Sequence, residues 1–376
     1  MSGEVPEGWT IGPMVQFFEL QRGHDLPAQS REAGGVPVIA SNGIVGWHNQ
    51  SPLSGPGVVT GRSGTIGKVN YIKERYWPLN TTLYVRDFKG SEPEFVYRFL
   101  EHFPLTEFQS GTGVPTLNRN DIHPIDVVFP PLDEQRRIAE VLRSVDNAIA
   151  AAQQVAEHSR ALQSLLTTVQ CFGHGYEMIN LGDILADIRY GTSVKCDANE
   201  ADGYPVLRIP NVVNGRVELD DLKYAAVSDA DLRRFGLEAG DIVVVRTNGN
   251  RAYIGRSALV ADGAATCLFA SYLIRMRFDT RRAWSPYVYA ILNSQPVREK
   301  LLKAATTSAG NYNINTTSLK GIAVPLPNLE TQHQIGEVIQ LATEAANACE
   351  DDVKHQQRVK ANIMSDLLSG RVRVPA

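Results

Sequence analysis

The sequence predicts an α+β protein with a pseudo-twofold internal repeat, in which two similar globular domains alternate with two long helices. The first observation behind this prediction is a repeated segment: residues 130–144 return as residues 327–341, and the same shift of 197 positions superposes Gln135 on Gln332. Two further observations support it: matched stripes of small and apolar residues along two predicted helices, and similar short strand patterns in both halves. A period this long indicates a duplicated half-protein rather than a solenoid.

The first half begins with a predicted mixed domain over residues 1–130, followed by a long helix over residues 131–172 that Gly173 ends. Short runs rich in β-branched and aromatic residues indicate the strands, and Pro130 and Pro131 mark the end of the last one. The predicted strands are 57–60, 82–85 and 125–129, and the predicted short helix is 94–101.

The second half repeats this order with different residues: a domain over 173–327, then a second long helix and C-terminal tail over 328–376. Gly370 marks the end of the second helix. The predicted strands are 241–245, 271–276 and 322–325, and the predicted short helix is 286–293.

Each long helix carries a stripe of small and apolar residues at alternating spacings of four and three, as in a coiled-coil seam. Each helix alone could pack only on its own domain. The shared register of the two stripes favours pairing of the helices with each other. The stripes are Ile138, Leu142, Val145, Ile149, Ala152 and Ala156, and Ile335, Ile339, Ala342, Ala346, Cys349 and Val353.

Composition excludes several classes of protein. At 376 residues the chain can form two domains with their own cores. It has no apolar run long enough to cross a bilayer and no signal-peptide pattern, so we expect a soluble, cytoplasmic protein. Its four dispersed cysteines indicate neither a disulfide framework nor a zinc site. The formal net charge of −4 argues against nucleic-acid binding over the whole surface but allows local basic surfaces.

Basic residues cluster at related places in the two halves, which favours phosphate contact over an ordinary solvated surface. In the first half they are Arg62, Lys68, Lys73, Arg75, Arg86 and Lys89; in the second they are Arg246, Arg251, Arg256, Arg275, Arg277, Arg281 and Arg282.

Two polar loops in each half lie near these clusters. Residues 61–69 are glycine-rich but do not form a P-loop, because five residues separate Gly61 from Gly67 where four are needed. Residues 246–253 correspond to them, and residues 111–118 correspond to 308–315. Plain turns are the alternative interpretation, since glycine and asparagine favour turns. Arginine, asparagine and threonine also suit base-edge and phosphate hydrogen bonds. The candidate DNA-binding residues are Arg62, Ser63, Lys68, Thr112, Asn118, Arg208, Arg246, Thr247, Asn248, Asn250, Arg251, Tyr253, Tyr312 and Asn313.

Signals for catalysis are missing from the sequence. It contains no Asp/Asn-Pro-Pro-Tyr/Phe motif for amino-group methylation, no metal-spaced histidines, and no nucleophile with a neighbouring base. We therefore expect a recognition protein without catalytic, cofactor or metal sites of its own.

Over nearly its whole length the chain resembles the specificity subunits of type I restriction-modification systems. The second helix departs from the family's usual Glu-Gln, having Thr331-Gln332. The motifs that carry the resemblance are Pro6-Glu7-Gly8-Trp9, Gly61-Arg62-Ser63-Gly64-Thr65-Ile66-Gly67, Trp77-Pro78-Leu79-Asn80-Thr81-Thr82, Thr116-Leu117-Asn118, the proline-leucine-x-Glu-Gln start of the first helix, Leu207-Arg208-Ile209, Gly240-Asp241-Ile242, Arg246-Thr247-Asn248-Gly249, Tyr272-Leu273-Ile274-Arg275 and Asn313-Ile314-Asn315.

The resemblance implies two target-recognition domains, each binding half of a split double-stranded DNA site, and two helices that form an antiparallel coiled-coil spacer. It implies DNA methyltransferase subunits as partners, which methylate adenine with S-adenosylmethionine, and ATP-dependent restriction subunits where the complex cleaves DNA. Two divergent domains fit an asymmetric bipartite site, whereas a palindrome needs identical ones. The alternatives are a coiled-coil scaffold protein and an orphan specificity subunit acting only in methylation.

Overall fold

The structure is a computed structural model that describes residues 5–111, 113–198, 203–213, 215–308 and 310–374. The chain divides into two compact units, one of residues 1–152 with 352–376 and the other of residues 153–351. Both long helices run across this division, so each unit contains a segment of each helix. The division into recognition domains and spacer helices at residues 130, 172 and 327 remains a prediction.

The first unit has short strands around a compact core. Its helices are α1 Met14–Phe17, α2 Pro93–His102, α3 Arg119–Ile122, the first part of α4 Leu132–Phe172 and the last part of α9 Leu329–Leu368. Its strands are β1 Thr10–Pro13, β2 Glu19–Arg22, β3 Val36–Ala40, β4 Gly43–His48, β5 Gly57–Gly61, β6 Val69–Ile72, β7 Trp77–Pro78, β8 Thr82–Asp87, β9 Gln109–Ser110, β10 Thr116–Leu117 and β11 Asp126–Phe129.

A four-stranded antiparallel sheet of order β2-β8-β5-β6 is the centre of the first unit. Helix α2 packs on it because Phe95, Val96 and Leu100 recur on one helix face and are buried. Pro93 stands in the first turn, where its missing N–H costs no hydrogen bond. Strands β5, β8 and β11 and helix α2 lie where the sequence predicts them.

The second unit contains the second set of elements. Its helices are the last part of α4, α5 Asp229–Phe235, α6 Ser285–Asn293, α7 Gln295–Ala304, α8 Thr316–Lys320 and the first part of α9 Leu329–Leu368. Its strands are β12 Met178–Asn180, β13 Leu185–Tyr190, β14 Tyr204–Leu207, β15 Val212–Val213, β16 Arg216–Val217, β17 Lys223–Ala225, β18 Ile242–Val245, β19 Thr247–Asn248, β20 Ser257–Leu259, β21 Leu268–Phe269, β22 Leu273–Phe278, β23 Thr306–Ser308, β24 Asn311–Asn313 and β25 Ala323–Pro325.

The sheets of the second unit repeat those of the first. The order β13-β22-β18-β20 matches β2-β8-β5-β6, with β16 and β15 added at one edge. The pair β12-β25 matches β1-β11, and the sheet β17-β14-β21 matches β4-β3-β7, including one parallel pairing in each. The predicted internal repeat is therefore confirmed in the fold of both units.

A buried glutamine fixes the start of each long helix. In the first unit, Gln135 Nε2 donates to Pro130 O at 2.9 Å and Gln135 Oε1 accepts from Glu92 N at 2.8 Å. In the second, Gln332 Nε2 donates to Pro327 O at 2.9 Å and Gln332 Oε1 accepts from Trp284 N at 2.9 Å. The accepted N–H belongs in both cases to the residue just before α2 or α6. The repeated glutamine thus joins the long helix to the short helix of the same unit.

The residue before each glutamine differs between the units. Glu134 is buried and accepts hydrogen bonds from Trp9 Nε1 at 3.0 Å and from Arg373 Nε at 2.6 Å. Burial opposes the ionisation of Glu134, but these hydrogen bonds outweigh it and lower its pKa. In the second unit Thr331 occupies this place, and its N–H donates to Asn328 Oδ1 at 2.9 Å, so a side-chain cap replaces the carboxylate contacts.

The long helices pair with each other inside each unit. In the second unit Arg160 Nη2 lies 2.7 Å from Glu350 Oε1, and Gln163 Nε2 donates to Thr343 Oγ1 at 3.1 Å. Residue numbers rise along α4 as they fall along α9, so these segments are antiparallel. In the first unit Lys360 Nζ lies 2.8 Å from Asp146 Oδ1. All the residues of the two predicted stripes are buried or half-buried.

Candidate nucleic-acid interface

In the first unit the two predicted polar loops lie against each other. The glycine-rich loop connects β5 to β6, and the second loop precedes α3. Leu117 N donates to Arg62 O at 2.8 Å, Gly64 N donates to Pro115 O at 3.0 Å, and Ser63 forms an isolated bridge with Thr116. Gly64 has a φ of 91°, in the left-handed region that favours glycine. The backbone thus holds both loops in one surface.

A small polar pocket lies where these loops meet. It has a volume of about 270 Å³, and the side chains that line it include Arg62, Asn118, Arg22 and Arg119. Asn118 caps α3, because its Oδ1 accepts from Asn120 N at 3.0 Å. Arg62 and Asn118 are among the candidates predicted from the sequence, whereas Arg22 and Arg119 are not. Of these, Arg119 could have been found because it directly follows the Thr116–Asn118 motif.

The second unit repeats this arrangement with different side chains. Ile314 N donates to Arg246 O at 2.8 Å, the equivalent of the bond between Leu117 and Arg62. Beyond it β19 pairs with β24, so that Thr247 lies opposite Asn313 and Asn248 lies opposite Tyr312. The structure thereby brings together the sequence-predicted residues of the 246–253 and 308–315 loops.

Arg62 and Arg246 occupy equivalent places in the two units. Arg62 N donates to Thr81 O at 2.8 Å, and Arg246 N donates to Tyr272 O at 3.0 Å. The guanidinium Nη1 atoms donate to the preceding carbonyls, Asn80 O at 3.2 Å for Arg62 and Ser271 O at 3.3 Å for Arg246. Each arginine is half-buried and is fixed by hydrogen bonds to a neighbouring segment of its unit, residues 80–81 or residues 271–272. It therefore presents a preorganised cation, as bidentate or phosphate recognition requires.

An aromatic ring supports Arg246 as well. The Arg246 guanidinium carbon lies 4.6 Å from the centre of the Tyr190 ring. Arg246 Nε is buried and has no hydrogen-bond partner within the described residues. Tyr190 was not among the sequence candidates, because it lies at the end of β13, far from Arg246 in sequence.

The remaining candidates of the 246–253 loop partly stabilise the loop itself. Asn248 Oδ1 accepts from Asn250 N at 2.8 Å, and Asn250 Oδ1 accepts from Ala252 N at 3.0 Å. Arg251 is exposed and its Nη2 donates to Leu302 O at 3.1 Å. The turn interpretation is therefore correct for the asparagine oxygens, while their Nδ2 groups retain donors suited to base edges.

Aromatic side chains lie beside the arginines of this region. The guanidinium of Arg251 lies 6.0 Å from the Tyr312 ring centre, and that of Arg256 lies 3.7 Å from the Tyr253 ring centre. Tyr253 and Tyr312 thus support cations that face the loops.

Three candidates are placed differently. Arg208 follows β14 and forms an ion pair with Asp221 at 3.0 Å, which fixes it to a neighbouring turn. Lys68 is exposed, and its Nζ donates to Asn42 O at 2.6 Å. Thr112 lies outside the described residues. Whether any candidate contacts DNA remains a prediction.

The basic cluster predicted in the second half does not form one surface. Arg275 is 2% exposed and its Nη2 lies 2.6 Å from Asp187 Oδ2, while Arg277 Nε lies 2.8 Å from Asp241 Oδ1. Burial opposes the ionisation of Asp187, but hydrogen bonds from Arg189 and Arg275 outweigh it and lower its pKa to about 2. Phosphate contact is therefore the wrong prediction for Arg275 and Arg277, because carboxylates distant in sequence already pair with them.

In the part of the chain that the structure describes, no helix combines the length and the apolar composition that spanning a bilayer requires. Within the same residues no group of three or more histidine, cysteine, aspartate or glutamate side chains could hold a metal ion.

Comparison with known proteins agrees with the repeated architecture. Two curated relatives are type I restriction enzyme specificity subunits. That of EcoKI from Escherichia coli strain K12 is 23% identical over 99% of this chain and 90% of that protein. That of StySPI from Salmonella potsdam is 23% identical over 94% of this chain and 86% of that protein. The crystal structure of the type I restriction-modification S subunit from M. genitalium has the same fold, with a TM-score of 0.60 and 14% identity over 98% of this chain and 97% of that one.

A second solved structure, from a study of type I restriction-modification complex assembly and conformational transition, gives a TM-score of 0.61 at 14% identity over 98% of this chain and 100% of that one. The sequence profile of the type I restriction modification DNA specificity domain matches residues 6–157 and again residues 174–356. The chain therefore belongs to the family of type I restriction-modification DNA specificity domains and carries two copies of that domain.

Proposed function

We propose that this chain is the DNA specificity subunit of a type I restriction-modification complex and that it recognises an asymmetric bipartite site. The observation that carries the proposal is the duplicated loop pair: Leu117 N bonds to Arg62 O in the first unit, and Ile314 N bonds to Arg246 O in the second. Family membership and the names of the relatives support a specificity role.

Different side chains at equivalent places support an asymmetric site. Arg62 and Arg246 are equivalent, but Ser63-Gly64 follows the first and Thr247-Asn248 follows the second. A palindromic site needs identical recognition surfaces, as symmetric dimers provide. Two loop pairs that share a backbone geometry but differ in donors and acceptors suit two different half-sites.

The two long helices serve in this proposal as the spacer that sets the gap between half-sites. Helix α4 has 41 residues, which corresponds to about 60 Å at 1.5 Å per residue. Inserting four residues after Ala151, about one helical turn, should lengthen the tolerated gap by one or two base pairs at about 3.4 Å each. The half-site sequences should stay the same, and unchanged spacing with a well-folded insertion variant would contradict this role.

The chemistry belongs, in this proposal, to partner subunits. DNA methyltransferase subunits would transfer the methyl group to adenine, and ATP-dependent restriction subunits would join where the complex cleaves DNA. The chain itself supplies sequence recognition, with no cofactor of its own. The alternatives remain a coiled-coil scaffold protein and an orphan specificity subunit acting only in methylation.

A binding selection tests the proposal. The full chain, a type I DNA methyltransferase subunit, and the complex of the two are each incubated with a random duplex library, and the bound DNA is sequenced. We expect the complex to select one bipartite motif, and Arg246→Ala to change only one half of it. Arg233→Ala is the control, because this arginine of the same unit is exposed on α5 and is not a candidate DNA-binding residue. Enrichment of no motif by the complex, or of the same motif by the methyltransferase alone, would contradict the specificity role.

A further inference from the structure

The hairpin of β3 and β4 in the first unit presents apolar side chains to solvent. Ile44 is 59% exposed, Val45 is 39% exposed and Trp47 is 54% exposed. All three lie on β4, an edge strand of the sheet β4-β3-β7. Natural sheet edges usually carry charged residues or a covering segment, so an apolar cluster at this position indicates an interaction surface.

This hairpin contacts the glycine-rich loop of the candidate interface. Lys68 Nζ donates to the carbonyl oxygen of Asn42 in the hairpin turn at 2.6 Å. A Cβ added at Gly64 would stand 3.3 Å from Ser41 Oγ, so glycine permits the close approach of turn and loop. The hairpin turn therefore lies beside the loop that carries Arg62 and Lys68, and the apolar side chains follow this turn on β4.

Cations flank the apolar side chains on two sides. Lys68 holds the turn, and Arg31 Nη1 donates to Val45 O in the middle of β4 at 3.3 Å. The nearby carboxylate of Glu32 accepts a hydrogen bond from Asn49 at 2.6 Å. A strand with apolar side chains at its centre and cations beside it suits the DNA major groove, where thymine methyl groups stand among hydrogen-bonding base edges between two rows of phosphates.

We propose that the β3–β4 hairpin enters the major groove of the half-site bound by the first unit, where Ile44 and Trp47 contact the methyl groups of thymine. The major groove admits a two-stranded β-ribbon, and the thymine methyl is the apolar group that distinguishes base pairs there. Ile44 and Trp47 are then specificity-determining residues. This inference rests on the proposed function of the chain.

Replacing thymine by uracil removes only the methyl group and leaves the base pair intact. One buried methyl group contributes roughly 0.8 kcal/mol, which corresponds to about a fourfold change in affinity. The purified complex of full chain and methyltransferase is titrated with its selected duplex, in which each thymine is replaced in turn. We expect about a fourfold loss of affinity at one or two thymines, all in one half-site.

The variants Ile44→Ser and Trp47→Ser should bind the unmodified duplex more weakly and lose the sensitivity to uracil. Ile11→Ser is the matched control, because Ile11 belongs to the same unit and is 56% exposed on β1. It should bind like the unaltered chain. Circular dichroism melting checks that all three variants are folded, and Trp47→Phe should keep most of the affinity if an apolar ring is what the site needs.

Several results would overturn the inference. They are wild-type affinity and uracil sensitivity in both serine variants, uracil effects confined to the half-site that Arg246→Ala alters, or a selected site without thymine. Loss of methyltransferase binding by Trp47→Ser, with DNA contacts unchanged, would assign the hairpin to a protein partner instead. If the unaltered complex selects no motif at all, the proposed function fails as well, which the binding selection shows separately.

Discussion

Replacing Gln332 by leucine should destabilise the second unit strongly, although leucine is apolar and similar in size. The Gln332 side chain is fully buried and makes three hydrogen bonds of 2.9 Å. It accepts from Trp284 N and donates to Arg282 O and Pro327 O. Leucine would leave the N–H of Trp284 and the carbonyl oxygens of Arg282 and Pro327 without the hydrogen bonds that Gln332 makes.

The expected magnitude follows from the cost of an unpaired buried polar group, about 1–3 kcal/mol each. Because Arg282 and Pro327 are partly accessible and their carbonyl oxygens can turn to water, we expect a total of about 2–4 kcal/mol. Urea unfolding of a unit of this size has a slope of about 2 kcal/mol per molar, so the midpoint should fall by about 1–2 M.

The assay is urea unfolding of the full chain followed by circular dichroism and tryptophan fluorescence. Trp284 lies at the substituted contact, so the fluorescence also reports the local change. Gln334→Leu is the control, because Gln334 is exposed on the same helix, and it should shift the midpoint little. Equal midpoints for the two variants would refute the argument that the repeated glutamine joins α6 to α9.

Three further predictions concern ion pairs and the candidate interface. Asp187→Asn should lower the free energy of unfolding at pH 7 by about 2 kcal/mol. Because the pKa of Asp187 in the folded chain is about 2, below its ordinary value, the unaltered chain should lose this contribution as the pH falls from 4 towards 2. The urea midpoint of the variant should not show that loss. Arg160→Glu should lower the urea midpoint, and adding Glu350→Arg should restore part of it. The interaction free energy between the two substitutions should be roughly 0.5 kcal/mol, as for a partly exposed ion pair. Additive effects would contradict the antiparallel register. If the arginine contacts guanine, Arg246→Ala or Arg251→Ala should reduce discrimination between the correct and the wrong base at one half-site by about 1–3 kcal/mol. If the arginine contacts phosphate, the variant should mainly reduce the salt dependence of binding. Unchanged affinity, specificity and salt dependence would show that the loop faces away from DNA.

Local patterns predicted much of the fold because they follow from short-range chemistry. The repeat of Gln135 at Gln332 predicted a duplicated protein, and in the structure both glutamines make the same contacts. The stripes that begin at Ile138 and Ile335 predicted paired helices through their spacing and their shared register. Each copy of the repeat and each stripe is a pattern of residues a few positions apart, so comparison of the two halves of the sequence displays both features directly.

The sequence was a weaker guide to the candidate site, because long-range pairing decides which polar side chains are available. Seven arginines in the second half look alike in sequence, yet Arg275 is buried against Asp187, which lies 88 positions earlier. Arg246, by contrast, rests on Tyr190 at the loop surface. No local pattern separates these two arginines, since their partners come from distant strands.

The hairpin of β3 and β4 illustrates the same limit in the first unit. Ile44 and Trp47 resemble ordinary strand residues destined for a core, and an alternating pattern alone would bury one of them. In the structure β4 is an edge strand and both side chains are exposed, a placement that alternation along the strand does not predict. The hydrogen bond from Lys68 to the carbonyl oxygen of Asn42 in the hairpin turn is likewise a tertiary contact, which no local sequence pattern shows.

The central claim, that this chain selects the DNA sequence to be modified, is tested most directly by sequencing adenine methylation in cells. The host carries a type I DNA methyltransferase subunit that forms a complex with the chain, together with the intact chain, with no chain, or with the Arg246→Ala variant. We expect an asymmetric bipartite motif that is methylated only with the intact chain, and one relaxed or altered half-site with the variant. Methylation of the same motif without the chain would contradict the claim.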